Sequence, residues 1–107
     1  MSRSEHHSNS AAIVWREAAG VRYVTVSGEV DVSNASALDR AFDAPFLNVD
    51  MSGVSFFDSA ALMTLIRARM RAVEFQMTAN RTVRRVLDLA NVAGQMNLSP
   101  EPEPDPV

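Results

Sequence analysis

The hydrophobic pattern between residues 11 and 98 changes its period several times, from two residues to between three and four. A period of two predicts a strand with one buried face, and the longer period predicts an amphipathic helix. Residues 13–17 and 21–27 read as two strands joined by a turn at 18–20, and therefore as an antiparallel hairpin. A helix, a strand, a helix, a strand and a last helix follow in that order. Because strands joined by helices prefer parallel pairing with right-handed crossovers, the pattern predicts an α/β fold, a mixed sheet of about four strands with helices packed against it.

Polar residues mark where the predicted helices begin. Ser33 or Asn34 can cap the first helix, Asp58 or Ser59 opens the second, and Asn80 can cap the third. Each of these residue types carries a short polar side chain that can satisfy an unpaired amide of the first helical turn. The three predicted helices are therefore bounded by ordinary capping chemistry.

The middle of the chain alternates between strand and loop signals. Pro45 ends the first predicted helix, and residues 46–51 follow as a strand. A turn at Ser52-Gly53 then leads into an apolar loop at 54–57, before the second helix. In that helix we expect the buried stripe to consist of Leu62, Ile66, Met70 and Val73.

The two ends of the chain differ from this pattern. Residues 1–10 are polar and show no periodicity, so we expect a disordered tail. Residues 99–107 carry four prolines interleaved with three acids. Prolines remove backbone donors and like charges repel, so this segment is also predicted to stay unpacked. One domain at 11–98 remains.

Composition excludes several classes of function. The formal net charge is −3 and the pI is about 5.2, which argues against a nucleic-acid partner because phosphate binding needs a basic surface. The chain has no cysteine, so disulfides and thiol chemistry are excluded. No apolar run approaches the roughly 20 residues that span a bilayer, and residues 1–10 lack the apolar core of a signal peptide. We therefore expect a cytoplasmic protein without membrane insertion.

Catalysis is also not expected. A serine nucleophile needs a base such as histidine, and the two histidines, His6 and His7, fall in the predicted N-terminal tail. The sequence contains no nucleophile elbow, no phosphate-binding glycine loop and no metal-ligand spacing. The interpretation is a protein that is not an enzyme and uses no cofactor or metal.

Ser59 stands where a helix N-terminus is predicted. Amides without partners and a partial positive charge favour an anion at such a point, so a phosphate can be added there without melting the helix. From position alone, a structural role for Ser59, as an N-cap or the neighbour of one, is favoured over a switch.

Three short strings resemble the STAS family. Residues 50–62, DMSGVSFFDSAAL, are similar to its signature, in which a strand ends in an Asp-Leu-Ser-Gly turn and a short apolar stretch leads to an Asp-Ser pair opening a helix. Residues 28–31, GEVD, resemble the family's Gly-Glu-Leu-Asp after the second strand, and residues 83–90, VRRVLDLA, its last helix. The resemblance covers about residues 12–98, and its strings occur in the family's order and structural context.

The resemblance implies a bacterial anti-sigma factor antagonist, a regulator of transcription. Such members bind an anti-sigma factor that is also a serine kinase and so free the sigma factor. The kinase phosphorylates the serine of the Asp-Ser pair, which breaks the complex, and a phosphatase reverses this. Ser59 occupies the position of that serine. The implied partner interface includes Asp31, Ser55, Phe57, Asp58, Ala60 and Met63.

The sequence departs from the family pattern just after Ser59. Members often have a second Ser or Thr and then Gly, where this chain has Ala60 and Ala61, whose methyl groups change how closely a kinase backbone can approach. An alternative interpretation is a STAS-like adaptor subunit of a larger complex, such as a lipid-transport ATPase. An adaptor would bind constitutively, and its Ser59 would never be phosphorylated.

Overall fold

The computed structural model describes residues 3–7 and 10–100. The described chain forms five strands, β1 (Arg3–His7), β2 (Ala11–Ala18), β3 (Val21–Val30), β4 (Phe46–Phe57) and β5 (Glu74–Ala79). Its helices are α1 (Ala35–Ala41), α2 (Ser59–Arg71) and α3 (Arg81–Leu89), with short 3₁₀ helices at Val32–Asn34 and Ala93–Gln95. No helix among these residues is long and apolar enough to cross a membrane.

The strands form one mixed sheet in the order β1-β2-β3-β4-β5. The pairs β1–β2 and β2–β3 are antiparallel, and the pairs β3–β4 and β4–β5 are parallel. Helices α1 and α2 connect the parallel strands, as the alternation of periods predicts. The predicted α/β fold is confirmed, with one strand more than expected.

The additional strand corrects the prediction of a disordered N-terminal tail. Arg3–His7 pairs with β2, with Glu5 opposite Val14. The segment RSEHH contains no apolar residue, so no alternation of burial marks it in the sequence. Its pairing depends on the free edge of β2, which only the folded sheet provides. Residues 1–2 and 8–9 lie outside the described residues.

The C-terminal boundary also moves. Leu98 bridges Met77 in parallel, and the Ser99 amide donates to the Met77 carbonyl over 2.8 Å. Ser99, which was expected to begin the tail, therefore belongs to the folded unit. Of the remainder of that predicted tail, Pro100 is exposed and residues 101–107 lie outside the described residues.

The core lies between the sheet and the helices. Along β4, Leu47, Val49 and Met51 are buried, as their alternation with polar residues predicts. Leu38 and Phe42 from the region of α1 and Val83 and Leu87 from α3 are also buried. The core list of the predicted strands and of these two helices is thus largely as expected, although Ala90, predicted to face inward, is exposed.

The strand β4 is longer than predicted, because Phe46–Phe57 is continuous through the expected turn and loop. The register with β3 shifts twice, between Thr25 and Ser27 and between Gly28 and Glu29, with one extra residue on β4 each time. Such bulges let a strand bend without losing its partner. They carry β4 to the edge of the sheet where α2 begins.

Helix α2 buries a different stripe from the one predicted. The buried residues are Ala61, Thr64, Leu65 and Ala68, whereas Met70 and Val73 are exposed and Leu62 and Ile66 only partly buried. The prediction was based on the largest apolar residues. The observed stripe, at positions i, i+3, i+4 and i+7, consists mostly of small residues that allow a close approach to neighbouring elements.

Candidate functional site

Strands β3 and β4 end side by side, with Val30 opposite Phe57. The Asp58 amide continues the ladder by donating to the Val30 carbonyl over 3.2 Å. The 3₁₀ helix follows directly after β3, and α2 follows directly after β4. Because carboxyl ends of neighbouring parallel strands meet at one edge, the predicted interface acids Asp31 and Asp58 lie at the same edge of the sheet.

Asp58 is the N-cap of α2. Its backbone is extended, and its Oδ1 accepts a hydrogen bond from the Ala61 amide over 3.0 Å. Ser59 is therefore the first helical residue and not the cap, which decides between the two starting points that the sequence left open. Its side chain is exposed, and its hydroxyl has no hydrogen-bond partner among the residues that the structure describes.

The position of Ser59 has consequences for its chemistry. The amides of the first helical turn have few backbone partners and give the region a partial positive charge. The two histidines lie on β1, which β2 and β3 separate from β4. With no imidazole beside it, the hydroxyl has no general base of that kind.

Asp31 caps the short 3₁₀ helix with a reciprocal arrangement. Its Oδ1 accepts from both the amide of Ser33, over 2.9 Å, and its hydroxyl, over 2.5 Å, while the Asp31 amide donates to Asn34 Oδ1. These hydrogen bonds, that of the Ser33 hydroxyl first, lower the pKa of Asp31 below its ordinary value. Asp31 therefore stays ionised, and part of its carboxylate is committed to the cap.

The two phenylalanines before Asp58 point to opposite faces of β4. Phe57, predicted to contact the partner, is 6% exposed and belongs to the core, whereas Phe56 is 50% exposed. Neighbouring residues of a strand face opposite sides, and the sequence alone does not say which side is covered. This burial corrects the expectation for Phe57, and the accessible aromatic ring at this edge is that of Phe56.

The other predicted interface residues are accessible to different degrees. Ser55 is exposed where β4 bulges, Ala60 is half-buried, and Met63 is exposed one turn after Ser59. Val32, which sequence reasoning did not select, is also exposed at this edge. We define the Ser59 edge by the exposed side chains of Val32, Phe56, Ser59 and Met63, flanked by Asp31 and Asp58.

Within residues 3–7 and 10–100, no group of three or more His, Cys, Asp or Glu side chains is placed to hold a metal ion. Asp50, in the amino-terminal half of β4, accepts from the amide and hydroxyl of Ser52 over 2.9 and 2.7 Å. These bonds hold Ser52 at the first bulge of β4, where the chain stays in the sheet and forms no turn.

A model of the STAS domain family matches residues 12–103. The chain belongs to the STAS domain family. This confirms the family predicted from the three strings. In the STAS framework, the two departures after the serine differ in accessibility, because Ala61 is buried and only Ala60 presents a methyl group near the surface.

One solved structure is similar over most of the STAS domain. A crystal structure of an anti-sigma factor antagonist from Mycobacterium paratuberculosis superposes with a TM-score of 0.75 and is 28% identical in sequence. The match covers 86% of this chain and 87% of that one. The comparison with curated proteins found no match.

Proposed function

We propose that this STAS domain is an anti-sigma factor antagonist that binds an anti-sigma factor through the Ser59 edge and so frees a sigma factor. The observation that carries the proposal is the exposed, uncommitted Ser59 hydroxyl at the first position of α2. Asp58 already supplies the cap, so modification of Ser59 does not remove it. The similarity to an anti-sigma factor antagonist supports the choice of partner. A role in bacterial transcription would place the protein in the cytoplasm.

Phosphorylation of Ser59 is the proposed control of binding. A phosphate adds about −1.5 to −2 charges at neutral pH, and at a helix N-terminus this charge is compatible with the helix. The fold is therefore retained while the surface changes. The neighbouring Asp58 carboxylate adds to the negative charge that a partner would meet, so the modified edge repels an acidic surface.

The rest of the Ser59 edge is suited to a contact that excludes water. Phe56 and Met63 are each 50% exposed, and Val32 is more so. Large apolar side chains of this kind contribute to binding by losing contact with water. A dianion at Ser59 would have to be desolvated in the same contact, which is costly without a paired cation. One modification thus opposes the whole apolar contact.

In the proposed cycle, the anti-sigma factor is the kinase and a separate phosphatase restores the free serine. Ser59 is accessible to a kinase because its side chain is exposed and the Asp58 carboxylate is bonded to the Ala61 amide instead. Many STAS members have a Ser or Thr where this chain has Ala60. The half-buried Ala60 methyl group is therefore where a kinase backbone would meet a different surface.

The test uses the purified chain with each anti-sigma factor of serine-kinase type encoded in the same genome. After incubation with ATP, mass spectrometry maps the phosphate, and calorimetry measures affinity before and after. We expect stoichiometric phosphate on Ser59 and at least 100-fold weaker binding, a change of about 2.7 kcal/mol. Ser59→Glu should weaken binding in the same direction, and Ser59→Ala should bind but accept no phosphate.

Ser55→Glu is the comparison variant, since Ser55 is also exposed and a predicted interface residue but lies in a strand bulge and not in the first turn of α2. We expect it to weaken binding much less than Ser59→Glu. Phosphate found only on Ser55, or full binding by Ser59→Glu, would contradict the proposed switch. Full binding together with an absence of phosphate would favour the adaptor interpretation.

A further inference from the structure

Met63 lies on α2 one helical turn after Ser59 and is 50% exposed. It belongs to the Ser59 edge together with Phe56 and Val32, which are also exposed and apolar. Three other methionines, Met51, Met77 and Met96, are at most 1% exposed and are part of the core. Met63 therefore presents an accessible thioether one helical turn from Ser59.

The chemistry of this side chain differs from that of its apolar neighbours. The chain has no cysteine, so thioethers are its only sulfur groups. A peroxide oxidises a thioether by transferring one oxygen atom to sulfur: the O–O bond breaks, an S=O bond forms, and water or an alcohol leaves. The sulfur loses two electrons, which the peroxide takes up. The product, methionine sulfoxide, is polar and chiral and is reduced again by sulfoxide reductases.

We propose that Met63 is an oxidation-sensitive contact of the Ser59 edge, so that peroxide weakens binding of the anti-sigma factor independently of phosphorylation. This inference rests on the proposed function. The sulfoxide oxygen is a strong hydrogen-bond acceptor, and covering it with an apolar partner surface removes its water without replacing it. A single oxygen atom on Met63 thus weakens the same contact that a phosphate on Ser59 weakens.

The same helix contains a control. Met70 is 79% exposed, so peroxide reaches it at least as readily as Met63. It lies seven residues further along α2, about 10 Å along the helix axis and away from the edge where α2 begins. Oxidation of Met70 adds the same single oxygen atom to a thioether, but at a place where no partner contact is proposed.

The experiment compares Met63→Leu and Met70→Leu with the unchanged chain. Each is treated with hydrogen peroxide, the sulfoxides are located by peptide mass spectrometry, and affinity is measured for the anti-sigma factor identified in the phosphorylation assay. We expect oxidised Met70→Leu, which carries the sulfoxide at Met63, to bind at least 10-fold more weakly. Oxidised Met63→Leu should bind within 3-fold of its untreated form, and sulfoxide reductase should restore the affinity of the first.

Protection gives a second readout. Bound anti-sigma factor should slow oxidation of Met63 several-fold and leave the rate at Met70 unchanged. Complete oxidation of Met63 without loss of affinity, or equal losses in the two variants, would overturn the inference while phosphate-dependent binding still supported the proposed function. If the untreated chain bound no anti-sigma factor, the proposed function would fail, and this contact with it.

Discussion

The junctions after β3 and β4 use the same residue types with different results. At both, an aspartate follows a parallel strand and caps a helical segment, and a serine lies close behind it. Asp31 binds the hydroxyl of Ser33, whereas Asp58 binds the amide of Ala61 and leaves the hydroxyl of Ser59 without a partner in the described structure. We call the junction after β3 closed, because the Ser33 hydroxyl is hydrogen-bonded to Asp31. We call the junction after β4 open, because the Ser59 hydroxyl has no hydrogen-bond partner in the described structure.

The spacing of serine and aspartate explains the difference. A serine two residues after an aspartate can donate hydrogen bonds from its amide and its hydroxyl to the carboxylate. Ser33 does this with Asp31, and Ser52 does it with Asp50. Ser59 follows its aspartate directly and is already helical, and its hydroxyl makes no hydrogen bond to the Asp58 carboxylate. Both serines are exposed, but of the two hydroxyls only that of Ser59 has no hydrogen-bond partner in the described structure.

The comparison can be tested first through the glycines that lead into the junctions. Gly28 has φ +85°, and a Cβ there would lie 2.1 Å from the Ser10 carbonyl oxygen. Gly28→Ala is expected to lower the free energy of unfolding by about 3 kcal/mol or more, because the backbone must move. In Gly53→Ala the Cβ meets the Ser27 Cβ at 3.0 Å, and we expect a loss of about 1 kcal/mol. Urea unfolding measures both, and equal losses would contradict this ranking.

A third cap at the same edge tests how firmly the bulged part of β4 is held. Asn80 Nδ2 donates to the carbonyls of Ser52 and Val54 over 3.0 and 2.6 Å, and its Oδ1 accepts from the Val83 amide. Asn80→Ala should cost about 2–3 kcal/mol of unfolding free energy, since a cap and two bonds to β4 are lost. Asn80→Ser retains a capping oxygen and loses only the bonds to β4, so it should lose less. Urea unfolding measures both. A cap-retaining variant as stable as the unchanged chain would show that the bonds to β4 do not matter, and equal losses in the two variants would show that the cap does not.

The open junction predicts a clear division of roles between adjacent residues. Asp58→Ala should destabilise the chain by about 1 kcal/mol because the N-cap bond is lost. Ser59→Ala should change the unfolding free energy by less than about 0.5 kcal/mol, since its hydroxyl makes no bond within the described residues. Chemical denaturation of the two variants under the same conditions provides the measurement. A loss for Ser59→Ala as large as that for Asp58→Ala would show that the hydroxyl is committed after all.

The smallest effect concerns the closed junction and acid. The pKa of Asp31 lies below its ordinary value of 3.8, mainly because of the Ser33 hydroxyl. Ser33→Ala should raise the pKa of Asp31 toward that value, and Ser59→Ala should leave it unchanged. A carboxyl titration followed by NMR measures both.

The sign of the pH effect follows from the direction of this shift. A carboxyl group with a lower pKa in the folded state stabilises the fold above its unfolded pKa, and this contribution disappears as the pH falls through the folded pKa. Below about pH 4, stability should therefore fall less steeply in Ser33→Ala than in the unchanged chain. An unaltered acid slope would indicate that the Ser33 hydroxyl does not hold the Asp31 carboxylate.

Much of the fold followed from residue patterns. The order of elements, the parallel pairing around α1 and α2 and the start of α2 at the Asp58-Ser59 pair were predictable because periodicity and capping are local properties. The length of β4 was not, since Ser52-Gly53 has the composition of a turn and only pairing with β3 keeps it extended. The strand at Arg3–His7 was missed for the same kind of reason, as its residues are polar and only the paired sheet offers it the free edge of β2.

At the Ser59 edge, local chemistry was sufficient to place an acid, a serine and a helix N-terminus next to one another. It was not sufficient to say which of Phe56 and Phe57 would be buried, or that α2 would pack through Ala61 and Ala68 and expose Met63 and Met70. Those outcomes depend on which side of a strand or helix meets the rest of the molecule. Solvent exposure depends on how the helices pack against the sheet. The accessibility of the Ser59 hydroxyl and the Met63 thioether was therefore decided by the tertiary structure.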